Sequence, residues 1–229
     1  MSFFKKSVDK ADLAQNTGSK YINGSGVYAV NIVAPIVSAG KNGGISIDLY
    51  VNHKDQAQMI YGNLRIENNN GDVNKIGAKT FNQLLVIADV DDVADPIEAE
   101  LPIGKKEALK DVSVLEDLAD INVIVRIQQE YSVWKTDIKE KSVIRGFYRT
   151  KDNASAEEIV NETEAGKQYE SESKYFDNVT YKDGLDEEII AAWVAAKRPK
   201  NTAPGGYGGS ASAPKPSFGK PRASFGKKD

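Results

Sequence analysis

Apolar and polar residues alternate most cleanly at residues 45–52, with Ile45, Ile47, Leu49 and Val51 on one face and Ser46, Asp48, Tyr50 and Asn52 on the other. A period of two marks a strand with one buried side. The valine- and isoleucine-rich residues 26–34 predict a preceding strand, closed by Pro35. Residues 59–67 predict a third, with Gly62 as a bulge and Asn68-Asn69-Asn70-Gly71 as its turn. After Gly77 the period changes. Phe81, Leu84, Leu85 and Ala88 recur at three and four residues, as along one face of a short helix. The acidic segment 89–100, with Pro96 and Pro102 around it, reads as mostly irregular, and a short helix is predicted over 114–119. Alternation returns at Ile121, Val123, Val125 and Ile127 in a fourth strand running to Val133; a turn over 134–141 leads to a fifth strand, 142–149. Further on, Ser155 caps a predicted helix, 175–181 make a short extended piece, and 185–197 form a last helix with acids at its N-terminal end.

Three strands, a helix and two strands is the order of the five-stranded oligonucleotide-binding (OB) barrel. The expected fold class is therefore mainly β: a five-stranded OB-fold barrel over 22–150, with a helix between strands 3 and 4. Around it we expect a mobile segment over 1–21, a helical extension over 151–197 and a disordered basic tail over 198–229.

Composition narrows the chemistry. A chain of 229 residues that is 40% hydrophobic buries one good core. It has no cysteine and a single histidine, His53, which excludes disulfides, thiolate metal sites, cysteine nucleophiles and two-histidine chemistry. His53 itself reads as a surface residue at a strand end. Gly24-Ser25-Gly26 leads into a strand where a dinucleotide fingerprint needs a helix, and no phosphate-loop lysine motif occurs. We expect neither enzyme, cofactor nor metal. No run approaches eighteen apolar residues, so we expect no membrane partner and a cytoplasmic protein.

Charge divides the chain. Residues 197–229 carry eight cationic side chains against one acid, a net +7, which leaves −10 on residues 1–196 of a chain whose total is −3. The tail also repeats itself, Ser217-Phe218-Gly219-Lys220 returning as Ser224-Phe225-Gly226-Lys227. Gly, Pro, Ser and Lys leave too little apolar surface to offset backbone entropy, hence the expected disorder. Its cations Lys215, Lys220, Arg222, Lys227 and Lys228 suit phosphates, and its rings Phe218 and Phe225 suit stacked bases. In the barrel, the two-residue period places Val143, Arg145, Phe147 and Arg149 on one face of the fifth strand, two guanidiniums flanking a ring. Tyr61 and Arg65 share a face of the third strand; Arg126 lies on the fourth, Tyr50 on the second, and Lys41, Trp134 and Lys135 in loops. For each ring the competing assignment is the core.

The stretches Gly26-Val27-Tyr28-Ala29-Val30, Gly44 to Val51, Gly77-Ala78-Lys79-Thr80-Phe81-Asn82-Gln83-Leu84-Leu85 and Val143 to Tyr148 resemble a bacteriophage family of small single-stranded-DNA-binding proteins. The likeness covers residues 24–160. It implies an OB-type barrel that coats single strands without sequence preference during phage replication or recombination. Implied partners are single-stranded DNA and replication or recombination proteins; further copies of the chain are a partner expected from charge, because the basic tail could bridge to the acidic body of a neighbour. Many such binders end in an acidic tail that recruits replication proteins, whereas this chain ends Phe225-Gly226-Lys227-Lys228-Asp229. The acidic helix around Asp186 to Trp193 is the substitute candidate. Two other readings stay open: a phage structural or scaffold protein whose basic tail docks on an acidic partner, and an RNA binder.

Overall fold

The sheet curls around β1 (Gly26–Ala39), because this strand changes neighbours along its length. Its first half pairs antiparallel with β6 (Ile121–Trp134), from Gly26 opposite Ile127 to Ile32 opposite Ile121. From Asn31 onward it pairs on its other edge with β2 (Ile45–His53), and a bulge between Ile32 and Ala34 bends it there. β3 (Gln56–Arg65) adds to β2, and β7 (Asp137–Arg149) adds to β6. The result, in a computed structural model that describes residues 19–40, 43–103 and 108–197, is a mainly β, curled antiparallel half-barrel with few helices.

The described residues hold eight strands where the pattern predicts five. The additions are a hairpin, β4 (Ile97–Leu101) and β5 (Lys110–Val114), and the short β8 (Thr180–Tyr181), which lies parallel to β6. The hairpin docks on β1 at Ile36 and Val37. Its prolines suggested irregular chain, but Pro96 and Pro102 flank β4 and leave its ladder intact. Pro35 likewise does not end β1. Its carbonyl accepts from Leu115 N (3.0 Å), on the edge away from β2, and a residue's N–H points to the same edge as its C=O, so the missing donor costs no β1–β2 bond. The predicted helix over 114–119 is a single 3-10 turn, Glu116–Leu118.

α1 (Lys75–Ala88) closes the bottom of the half-barrel. Asn74 caps it by accepting from Gly77 N (3.0 Å), and Asp89 ends it in the left-handed conformation. Only glycine fits at 77, since a Cβ there would lie 1.8 Å from the Arg65 carbonyl oxygen. Leu84 and Ile87 of α1 seal a core of alternating strand residues, among them Ile32, Leu49, Leu64, Val125 and Ile127. Each such aliphatic side chain contributes about 1.5–3 kcal/mol on burial.

Two short helices follow, α2 (Ala156–Val160) and α3 (Lys167–Glu172). Ser155 and Glu158 form the reciprocal capping box that opens α2. Glu158 also accepts from Gly166 N and Gln168 N, pinning α3 to α2. Tyr169 and Phe176 pack their rings on Tyr148, which covers the outer side of the inner β6–β7 ladder. One compact unit runs to Ile190, in the first turns of α4 (Glu187–Lys197); a second begins at Ala191 and is described only to Lys197. No helix among the described residues is long and apolar enough to cross a membrane.

Candidate nucleic-acid interface

The expected face of the fifth strand does not exist as drawn. β6 pairs Arg126 with Gly146 but Ile127 with Ile144, so Arg145 is the extra residue of a bulge. One inserted residue reverses the side to which later side chains point. Phe147, opposite Val125, is therefore a core residue, 2% exposed, while Arg145 turns outward.

The arginines are engaged within the molecule. Arg145 donates Nε to Gln128 (2.7 Å) and Nη2 to Glu130 (3.0 Å). Arg149 holds Asp152 with two bonds, 2.9 and 2.7 Å. Arg126 pairs with Glu172, which also accepts from the Tyr148 hydroxyl (2.8 Å), and it lies 5.5 Å from the Phe176 ring centre. The bonds from Arg149 hold the Asp152 carboxyl below its ordinary range. Burial alone would raise Glu130, but the Lys182 hydrogen bond and the charges of Lys182, Arg145 and Lys141 bring it lower. Burial, then the bond to Glu172, pushes the Tyr148 phenol well above the usual tyrosine range.

An open surface lies elsewhere. Among the described residues β3 pairs only with β2 and β7 only with β6. Between them is a cavity of about 280 Å³, with Met59, Ile60 and Tyr61 on one lip and Glu140, Lys141 and Ser142 on the other. Tyr61 is 67% exposed and borders two further grooves. One, about 380 Å³, includes Tyr50 and Ile103; the other, about 330 Å³, includes Asp48, Lys110 and Asp111. The β3 register shifts between Ile60 and Leu64, around Gly62, where the sequence suggested a bulge.

Beyond the seam the β6–β7 hairpin continues as an arm to a two-residue turn, Lys135-Thr136, with Lys135 in the left-handed region. Trp134 at its tip is 65% exposed. β8 braces the arm: Tyr181 stacks on Tyr131 at 6.0 Å, and Val133 N donates to Asp183 (2.9 Å). Glu140 accepts from Gln129 (2.9 Å) and Tyr131 (3.2 Å).

The structure thus brings Tyr61 and Tyr50 to one groove and sets Trp134 and Lys135 on the arm. Tyr50 is buried, with Ala34, Ile36 and Val114, so it forms a wall and no open platform. Arg65 turns back to Glu67 O (3.2 Å) and to the Asn69 side chain. His53 is buried as well, its Nδ1 2.8 Å from Ala29 O and its ring edge-on to Tyr28; the expected surface position is corrected. Lys41 and the tail residues Lys215, Phe218, Lys220, Arg222, Phe225, Lys227 and Lys228 lie outside the described residues. Lys141 was not singled out from sequence. It sits in what reads as a turn, and nothing local signals that β7 there borders β3. No protein-family model matches the chain, and a comparison with curated proteins finds no match.

Proposed function

We propose that this protein is a non-enzymatic, OB-type binder of single-stranded DNA, without sequence preference, acting in phage replication or recombination. β1, β2, β3, α1, β6 and β7 supply the strand–helix order of that barrel, with the β4–β5 hairpin as an insertion. OB barrels bind along strands 2–3 and the loops joining strands 1–2 and 4–5. On that reading those places include the Tyr61 groove and the arm that carries Trp134 and Lys135. The observation that carries the reading is the exposed Tyr61 ring at the meeting of three grooves, beside Lys141. A ring so placed stacks any base, and cations around it take phosphates whatever the sequence. The tail over 198–229, with seven cations against one acid, adds interactions of the same kind.

Fluorescence anisotropy with a labelled thirty-base oligo-dT tests this. The full chain binds at low salt, and Tyr61→Ala weakens binding by about 1–3 kcal/mol without changing the melting temperature. Deleting residues 198–229 lowers the slope of log affinity against log salt by roughly 0.7 for each phosphate that the tail neutralises. A chain that leaves oligo-dT unbound in dilute buffer is no DNA binder, and the scaffold reading then takes precedence.

A further inference from the structure

A second cavity, about 470 Å³, shares no lining residue with the seam. It lies over β7 at the bulge. Lys79, Asn82, Gln83 and Val86 line it at the three- and four-residue spacing of one face of α1, and Val160 and Asn161, at the end of α2, face it from another element. Its volume is within the roughly 300–1,000 Å³ of small-molecule sites.

Three features give it chemical character. Gln83 Oε1 is buried without a hydrogen-bond partner, the only such side-chain atom among the described residues. Leaving that oxygen unpaired costs free energy, so turning the Gln83 carboxamide, which lines the cavity, toward a ligand donor recovers a hydrogen bond. Next, Gly146 leaves space beside that carboxamide; a Cβ built there would come to 3.4 Å from Oε1, and any longer side chain would fill the site. Finally, Lys79, Arg126 and Arg145 line the cavity against Glu157 and Glu172, a local net +1 on a body of −10. Glu172 already accepts from Arg126, Tyr148 and Gln168, and Arg145 uses only two of its five N–H donors on Gln128 and Glu130.

Carboxamides that can read a polar ring edge, valines that can flank a flat ring, and spare cationic donors together describe one kind of ligand. We propose that this cavity binds a single nucleoside monophosphate unit, with a base N–H on Gln83 Oε1 and the phosphate at Lys79 and Arg145. The unit is either a free nucleotide or the terminal nucleotide of a strand. The inference does not depend on the seam, whose residues are different.

Calorimetric titration of the full chain with dAMP, dGMP, dCMP and dTMP provides the test, with the nucleosides and inorganic phosphate alongside. At least one monophosphate should bind ten-fold or more tighter than its nucleoside and than phosphate. Gln83→Met, which keeps helix propensity, should weaken that binding at least ten-fold. Val160→Trp, placed at a position 66% exposed, should plug the mouth and abolish it with no change in melting temperature. Absence of monophosphate binding, parity with inorganic phosphate, or indifference to both variants overturns the proposal. Comparing a linear 5′-phosphorylated strand with a circular one identifies the source. A preference for the linear strand that Val160→Trp removes means a strand end; no such preference, with monophosphate binding retained, means a free nucleotide. Circular DNA reports on the seam alone. A chain that binds dNMP but ignores circles loses the proposed function and keeps this site, and the reverse result keeps the function and loses the site.

Discussion

The two ends of the β6–β7 hairpin both carry cations, but their surroundings differ. At the inner end Arg126, Arg145 and Arg149 each meet a carboxylate, Glu172, Glu130 and Asp152, and helical chain packs over the ladder. At the outer end Trp134, Lys135, Lys139 and Lys141 stand on an exposed arm, where Lys139 pairs with the solvent-exposed Asp137. Charge alone therefore does not make a phosphate site. A guanidinium whose charge a fixed carboxylate already balances gains less from a strand phosphate, even with N–H donors to spare, than a solvated lysine, which exchanges only water and counterions. For contacts along a continuous strand, the inner end should therefore govern stability and the outer end affinity.

The sharpest way to break this division is Phe147→Ala. As a core truncation it should cost about 3–5 kcal/mol of stability in urea denaturation while the folded fraction keeps its affinity for oligo-dT. Loss of affinity at unchanged stability would return Phe147 to the interface. Next in size, Arg126→Met leaves Glu172 without its cation and should destabilise by about 1.5–3 kcal/mol, the range for hydrogen bonds to charged groups, again with little change in DNA affinity.

Acid should act on the inner end through Glu158. Burial works to raise its pKa, but the backbone donors of Ser155, Gln168 and Gly166 outweigh it, so the folded value lies below the unfolded one. A carboxylate depressed on folding contributes stability that is fully present above its unfolded pKa, about 4.3, and is lost as pH falls through the folded value. Glu158→Gln should accordingly be less stable at pH 7, by about 1 kcal/mol as for loss of a cap, and should lose less on going to pH 3 in paired urea titrations. The smallest effect belongs to the tip: Trp134→Ala should weaken oligo-dT binding by about 1 kcal/mol and leave the melting temperature unchanged. A fall in melting temperature would mean that the tip is structural too.

Much of the fold was legible because it rests on local signals. The alternation at 45–52 and 121–127 became β2 and β6, the change of period after Gly77 became α1, and Ser155 caps α2 as its position suggested. The β4–β5 hairpin was not legible, since Ile97–Leu101 is short and acidic and is held as a strand by β5 and, through it, by β1. Of the candidate site, Tyr61 and Trp134 are exposed as a stacking role requires, while Phe147 and Tyr50 are buried. For rings in a small barrel, the two-residue period gives alternation but does not say which set faces inward.

The residues alone determined that the long periodic segments extend or coil, and that a cationic, ring-bearing tail follows an acidic body, because periodicity and net charge depend only on residues close in the chain or on simple counting. Tertiary structure decided the rest. The bulge at Arg145 exists only in register with β6, the Arg126–Glu172 pair joins residues 46 apart, and the seam beside Tyr61 arises because β3 and β7 approach without pairing. Each is a relation between distant segments, fixed when the core packs, and no local pattern carries it.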